Sequence, residues 1–225
     1  TSEIYAFLGR YDLTKTVYEP NSKSESIKKI TVHPDWKPKE IRYDADIAIL
    51  ELQNEATFSD LVQPVCLPST DLNVFTLTGR VVGWGKSETA EKNEMKPKQV
   101  EIPAHANDVC FFTDFRFAQF GSLRTFCAGE RGKSPCKGDS GGGFFTQIDS
   151  KWTMAGIVSA ALVQECDLND FVLFTNIAKF TPWIEAEVNK SHSNKIDAAF
   201  DALDQEEVED NSRLLSVDCK YQLSG

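Results

Sequence analysis

No stretch of the sequence approaches the roughly 18 consecutive apolar residues that a membrane-spanning helix needs, so a helical membrane anchor is not expected. The opening residues, Thr1-Ser2-Glu3, carry neither a basic segment nor an apolar one, so no secretory leader is visible. Without an initiator methionine they read as the start of a piece of something longer. Excess positive charge is missing as well. Lys and Arg number 24 against 34 Asp and Glu, a formal charge of −10, which argues against nucleic acid or an anionic membrane as partner. Histidine is scarce, at three, and the six cysteines include no Cys-x-x-Cys pair. Metal-ligand spacing is therefore absent, and neither a metal nor another cofactor is expected.

What is present points to a secreted all-β protein. An even set of cysteines, at 66, 110, 127, 136, 166 and 219, fits a disulfide framework in an oxidising compartment. Asn189-Lys190-Ser191 is a glycosylation sequon that agrees with an extracellular location. Short β-type runs recur between turn signals at Ile4–Leu8, Ile27–Val32, Ile47–Leu52, Arg80–Gly83, Gln99–Ile102, Gly142–Thr146, Thr153–Ser159 and Phe171–Thr175. No helices alternate with them, which is the pattern of a sandwich or barrel. Thr181-Pro182-Trp183 reads as a helix start, with Thr as N-cap and Pro in the first turn. A further amphipathic pattern follows, with Ile196, Ala199, Phe200 and Leu203 on one face. The segment 191–225 holds eight acidic and three basic residues and is expected to be an acidic tail, partly helical or solvated.

The strongest chemical signal is Cys136-Lys137-Gly138-Asp139-Ser140-Gly141-Gly142-Gly143. At average usage, Gly-Asp-Ser-Gly-Gly arises by chance about once in several thousand chains of this length. A serine between glycines suits a tight turn that exposes its hydroxyl and aims neighbouring backbone N–H groups at one point, as an oxyanion hole requires. Taken alone, the run could still be a glycine-rich surface loop.

The motif resembles the active-site segment of chymotrypsin- and trypsin-like serine proteases, and other segments agree in order. Leu8-Gly9-Arg10-Tyr11-Asp12-Leu13 looks like the family's early barrel strand, and Val32-His33-Pro34-Asp35 precedes Asp44-Ala45-Asp46-Ile47-Ala48-Ile49-Leu50, which resembles the segment holding the triad aspartate. Gln63-Pro64-Val65-Cys66-Leu67-Pro68 resembles the crossing between barrels, followed by Val82-Gly83-Trp84-Gly85, Phe126-Cys127-Ala128-Gly129, Gly156-Ile157-Val158-Ser159 and the Trp183 helix. Gly143, where proline is common, is similar to modular, multidomain arthropod proteases of this family.

The resemblance implies two antiparallel six-stranded β-barrels. The peptidase domain would cover 1–190, with an incomplete first barrel over about 1–70, a second over about 78–178, a helix over about 181–190, and the tail beyond. It implies a secreted serine endopeptidase acting on protein substrates through an acyl-enzyme. Ser140 would be the nucleophile, Asp46 the carboxylate that orients the histidine, and Ser159 a hydrogen-bond donor to Asp46. Gly138 and Ser140 would supply the oxyanion-hole N–H groups. In the family the catalytic histidine precedes the strand that Leu8–Leu13 resembles, so it is expected upstream of Thr1. His33, His105 and His192 are out of register, and the chain as given is expected to be inactive.

Asp139 would pair, after zymogen cleavage, with a new N-terminal ammonium. Without that partner the Lys137–Gly141 loop is expected to be reorganised or mobile. The family's bridges would be Cys110–Cys127 and Cys136–Cys166. Cys66 would tie the domain to an upstream light chain or regulatory module and so stand free here, with Cys66–Cys219 as the alternative. The substrate pocket would be lined by Ser134, Ser159, Ala161 and Val172. With Ser134 rather than an aspartate at its floor, a small or medium apolar side chain is the expected fit. A non-catalytic binding or cofactor protein on the same fold is the alternative function.

Overall fold

The computed structural model describes residues 4–15, 19–87, 92–162 and 166–202. Two sheets organise the chain. In the first, β1 (Tyr5–Leu8), β2 (Lys23–Val32) and β3 (Ala48–Leu52) run antiparallel in the order β1-β2-β3. In the second, β4 (Thr78–Gly83), β5 (Lys98–His105), β6 (Thr125–Ala128), β7 (Gly143–Ile148), β8 (Lys151–Ala161) and β9 (Val172–Asn176) close into a six-stranded barrel of order β4-β5-β6-β9-β8-β7. Closure leaves no free sheet edge, and it buries every residue of β6 and β9. The first half therefore contributes a three-stranded sheet among the described residues rather than a second closed barrel.

The barrel interior is filled by aromatic rings. Phe126, Phe144 and Phe174 are fully buried, with ring centroids 5.2 to 5.5 Å apart. One pair is stacked and two are edge-on, the arrangements that the charge distribution of aromatic rings favours. Val81, Ile102, Ala128 and Ala155 complete this core. Phe126→Ala is expected to destabilise the protein by about 3–5 kcal/mol through lost burial and a residual cavity. The thermal midpoint should fall on the order of 10 °C, a change calorimetry would register.

Two short helices were not legible in the sequence. α1 (Asn107–Thr113) and α2 (Arg116–Phe120) lie between β5 and β6 and bury Cys110 and Phe117. The Cys110–Cys127 bridge ties α1 to β6 across a Cα separation of 6.6 Å. α3 begins at Thr181, but its hydroxyl donates to Pro68 O (3.0 Å) and Ile177 O (3.3 Å) instead of accepting from its own first turn. The helix expected to end near 190 continues to Ala202. The rest of the acidic tail, with Leu203, Asp204–Asn211 and Cys219, lies outside the described residues.

Phe180, at the mouth of α3, packs with Ala45 and Ile47, and Trp183 and Ile184 close over them. This cluster fixes the segment just before β3 against the barrel and so positions the site.

Candidate active site

Asp46 stands between two buried residues, Ala45 and Ile47. Their burial leaves the side chain of Asp46 little freedom of direction. Ala45 adopts φ 58°, in the left-handed region where a β-carbon is unfavourable, and Ile47 N donates to Ala45 O at 2.8 Å. Thr175 Oγ1 of β9 donates to Asp46 O at 2.9 Å, and Ser159 Oγ of β8 donates to Asp46 Oδ2 at 2.7 Å. Both backbone and carboxylate of Asp46 are thus gripped by the barrel, 113 and more residues away in sequence.

Asp44, two residues upstream, adds a second tether. Its carboxylate accepts from Arg124 Nη2 (2.5 Å), Arg124 Nε (3.0 Å) and Ser122 Oγ (2.7 Å). Arg124 Nη1 also reaches Asp35 Oδ2 at 2.8 Å. The Arg124 hydrogen bond, with Ser122 assisting, holds the Asp44 carboxyl below its ordinary range. In the unfolded chain this group titrates near about 3.9. Its stabilisation is therefore fully present above that pH and lost as pH falls through the lower folded-state value. Arg124→Gln should be less stable than the native protein at pH 6, and the gap should narrow below about pH 4. Denaturant unfolding followed at both pH values checks this.

Ser140 lies in the turn before β7, exposed, with no partner for its hydroxyl among the described residues. The turn is held from several sides. Lys86 N donates to Lys137 O (2.9 Å), Asp139 N to Cys136 O (3.0 Å), Gly142 N to Asp139 O (2.9 Å) and Gly141 N to Val158 O (2.9 Å). Gly138 has φ 102°, which only glycine adopts readily. Among the described residues neither the Gly138 nor the Ser140 N–H has a protein acceptor. The Cys136–Cys166 bridge, with Cα atoms 5.0 Å apart, pins the start of the turn.

Asp139 corrects an expectation. Its half-buried carboxylate is not left unpaired: Oδ1 accepts from Gly85 N (2.8 Å) and Oδ2 from Cys136 N (2.9 Å). A β-carbon on Gly83 or Gly85 would fall within 2.0 to 2.5 Å of that carboxyl group, so glycine at both positions lets it approach the strand end. The two bonds from Gly85 and Cys136 tie the Lys137–Gly141 loop to the end of β4 through Asp139. A cavity of about 400 Å³ adjoins this carboxylate, lined also by Gly85, Lys98, Lys133 and Leu168.

Two further cavities meet at Ser140. One, of about 490 Å³, brings Asp46 and Ser140 together with Trp36, Leu50, Ile157 and Ser159. The other, of about 360 Å³, runs from Ser140 past Ser134, Ser159, Ala161 and Val172. Asp167 and Asp170 line this second cavity as well, and the sequence reading missed them. Their only advance signal was two carboxylates three residues apart in the loop entering β9.

The described histidines are elsewhere. His33 packs against Phe180 and Trp183, at centroid distances of 5.1 and 4.7 Å, and its Nδ1 accepts from Asp35 N. Burial pushes its pKa down. His105 places Nε2 3.0 Å from Gly129 O and packs on Phe171. The side chain of His192 lies outside the described residues. Cys66 is disulfide-bonded, which corrects the expectation of a free thiol, while the alternative involving Cys219 falls on a residue outside the described set.

The match to known proteins covers these same segments. A family profile described as Trypsin matches residues 4–184. Serine protease gd of Drosophila melanogaster is 31% identical over 226 residues, covering 84% of this chain and 42% of that protein. Phenoloxidase-activating enzyme of Bombyx mori is 34% identical over 174 residues, covering 71% and 39%, and CLIP domain-containing serine protease B4 of Anopheles gambiae is 28% identical over 192 residues, covering 80% and 53%. The chain thus spans about half, or less, of the length of these curated relatives. With a closed barrel, a C-terminal helix and a profile match over most of its length, the chain belongs to the trypsin family of serine proteases.

Proposed function

We propose that the chain carries most of the peptidase domain of a secreted serine endopeptidase that hydrolyses peptide bonds of protein substrates through an acyl-enzyme. The carrying observation is that one cavity is lined by both Asp46 and Ser140, with Ser159 holding the carboxylate from behind. In this reading an imidazole occupies that cavity. It takes the Ser140 hydroxyl proton as Oγ attacks the carbonyl carbon, and Asp46 fixes its tautomer and stabilises its cationic form. The carbonyl electrons move to oxygen, where the Gly138 and Ser140 N–H groups receive the negative charge. Collapse of this intermediate breaks the C–N bond, and the imidazolium gives its proton to the leaving amine. Water then repeats the sequence on the acyl ester, releasing the acid and restoring Ser140.

Neither described imidazole lies in this cavity, so the base is assigned to a histidine in a segment preceding Thr1 in the full-length protein. The chain 1–225 alone is accordingly expected not to turn over peptide esters, since a triad without its base retains little of its rate. Asp139 is assigned an activation role. Its carboxylate would exchange its bonds to Gly85 and Cys136 for an N-terminal ammonium entering the adjoining cavity, an exchange that a charge-assisted pair favours.

The names of serine protease gd and CLIP domain-containing serine protease B4 support a protease, and the latter suggests regulatory modules upstream. The test is hydrolysis of peptide esters by the full-length activated protein, by its Ser140→Ala variant and by the chain 1–225. Activity confined to the first supports the reading. Turnover by the chain alone, or full-length activity independent of Ser140, contradicts it, and an inert full-length protein would favour the binding or cofactor role.

A further inference from the structure

We propose that Cys66 is bonded to Cys219 of the same chain, so that the acidic segment after α3 is tied back to the crossing between β3 and β4. Cys66 is then closed to any upstream module. The bond itself does not depend on the proposed function, but its consequence for activation rests on that reading.

Six cysteines are present in the sequence, and Cys66 is disulfide-bonded. Cys110 is paired with Cys127, and Cys136 with Cys166. A disulfide takes one partner per sulfur, so of this chain's own cysteines Cys219 is what remains for Cys66.

The fold makes the return path short enough. Cys66 is 9% exposed, and its backbone is fixed on the barrel: Cys66 N donates to Trp152 O (3.1 Å) and Met154 N to Cys66 O (3.0 Å). α3 starts beside it, because Thr181 Oγ1 donates at 3.0 Å to the carbonyl of Pro68, two residues further on. The 22 residues of α3 carry the chain about 33 Å from that point, at about 1.5 Å per residue. Cys219 lies seventeen residues beyond Ala202, the last residue of α3. At about 3.3 Å per residue, seventeen residues span up to about 56 Å, which covers the distance back with slack.

The bond needs an oxidant of the disulfide class, such as an oxidising secretory compartment supplies. The Cys66 thiolate attacks one sulfur of an external disulfide, whose S–S bond breaks and releases one thiolate. The Cys219 thiolate then attacks Cys66 Sγ in the mixed disulfide and displaces the second. Cys66 and Cys219 together lose two electrons and two protons, and the external disulfide leaves as two thiols.

The expected link from Cys66 to an upstream light chain or module is thereby replaced. On the proposed function, cleavage upstream of Thr1 leaves no bond through Cys66 between the upstream segment and the part carrying Asp46 and Ser140. The activated part can then separate from its modules without reduction.

The test is peptide mapping by mass spectrometry on the full-length secreted protein, with free thiols blocked and the digest left unreduced. The expected result is a Cys66 peptide joined to a Cys219 peptide, the two separating on reduction. Cys66 joined to a cysteine preceding Thr1, either residue joined to a second copy of the chain, or either recovered as a blocked free thiol overturns the proposal. The map reads no catalysis and should be the same for Ser140→Ala. An inert protein with the Cys66–Cys219 pair would therefore sink the protease reading alone, and an active one with Cys66 bonded upstream would sink this inference alone.

Discussion

Ser140→Ala is expected to lower peptide-bond hydrolysis by the full-length activated protease about a millionfold, the scale on which triads collapse when one acting member is removed. The loss should fall on kcat and leave KM nearly unchanged, because the cavity of about 360 Å³ that would take the substrate side chain is shaped by Ser134, Ala161 and Val172. A structural explanation can be separated from a chemical one. The Ser140 side chain is exposed and bonded to nothing among the described residues, so its removal should change stability by less than about 0.5 kcal/mol. An intact thermal midpoint with activity lost marks a chemical role. A loss of tenfold or less would remove Ser140 from the chemistry.

Asp46→Asn is the second large effect, expected at about ten-thousandfold in kcat. Asparagine keeps the shape, and its amide oxygen can still accept from Ser159 Oγ, as Asp46 Oδ2 does now at 2.7 Å. Its NH2, however, presents a donor where an imidazole N–H needs an acceptor, so the base is held in the wrong tautomer and its cation loses its stabilising charge. The backbone of the segment should not move, since Ala45 and Ile47 remain buried and Thr175 still donates to the carbonyl of residue 46. The rate should recover partly at high pH, where a stronger base is available without the carboxylate. A variant retaining more than a tenth of native activity would show that the carboxylate is structural.

Ser140 and Asp46, which one cavity brings together, were both singled out in the sequence, Ser140 by its glycine neighbours and Asp46 through the resemblance of its segment to that of the family. What sequence could not show came from distant partners. Asp139 looked unpaired because its donors include Gly85, 54 residues away, and the glycines that let the carboxyl approach are informative only once the strands are assembled. Asp167 and Asp170 come to line one cavity with Ser134 only once β9 has paired with β8 from Ala161 to Gly156.

In the fold, the barrel strands announced themselves through β-branched and aromatic runs, with ends off by a few residues. β6 was visible only as a motif, since four buried residues are too few for periodicity. The helices α1 and α2, seven and five residues long, fell below the length at which a helical repeat can be read. Cys66 was misjudged because its partner could not be assigned from spacing. The three-stranded first sheet exposes Ile30, Val32 and Leu50, and alternation alone gave no indication of that.

On the proposed function, Asp46 and Ser140 serve a single base between them. The structure of the full-length activated protein tests this most directly. The account predicts a histidine ring in the cavity of about 490 Å³, one nitrogen within hydrogen-bond reach of Asp46 and the other facing Ser140 Oγ, at roughly 2.6–3.2 Å or somewhat longer without substrate. A cavity filled by any other side chain, or an imidazole bonded elsewhere, would contradict it.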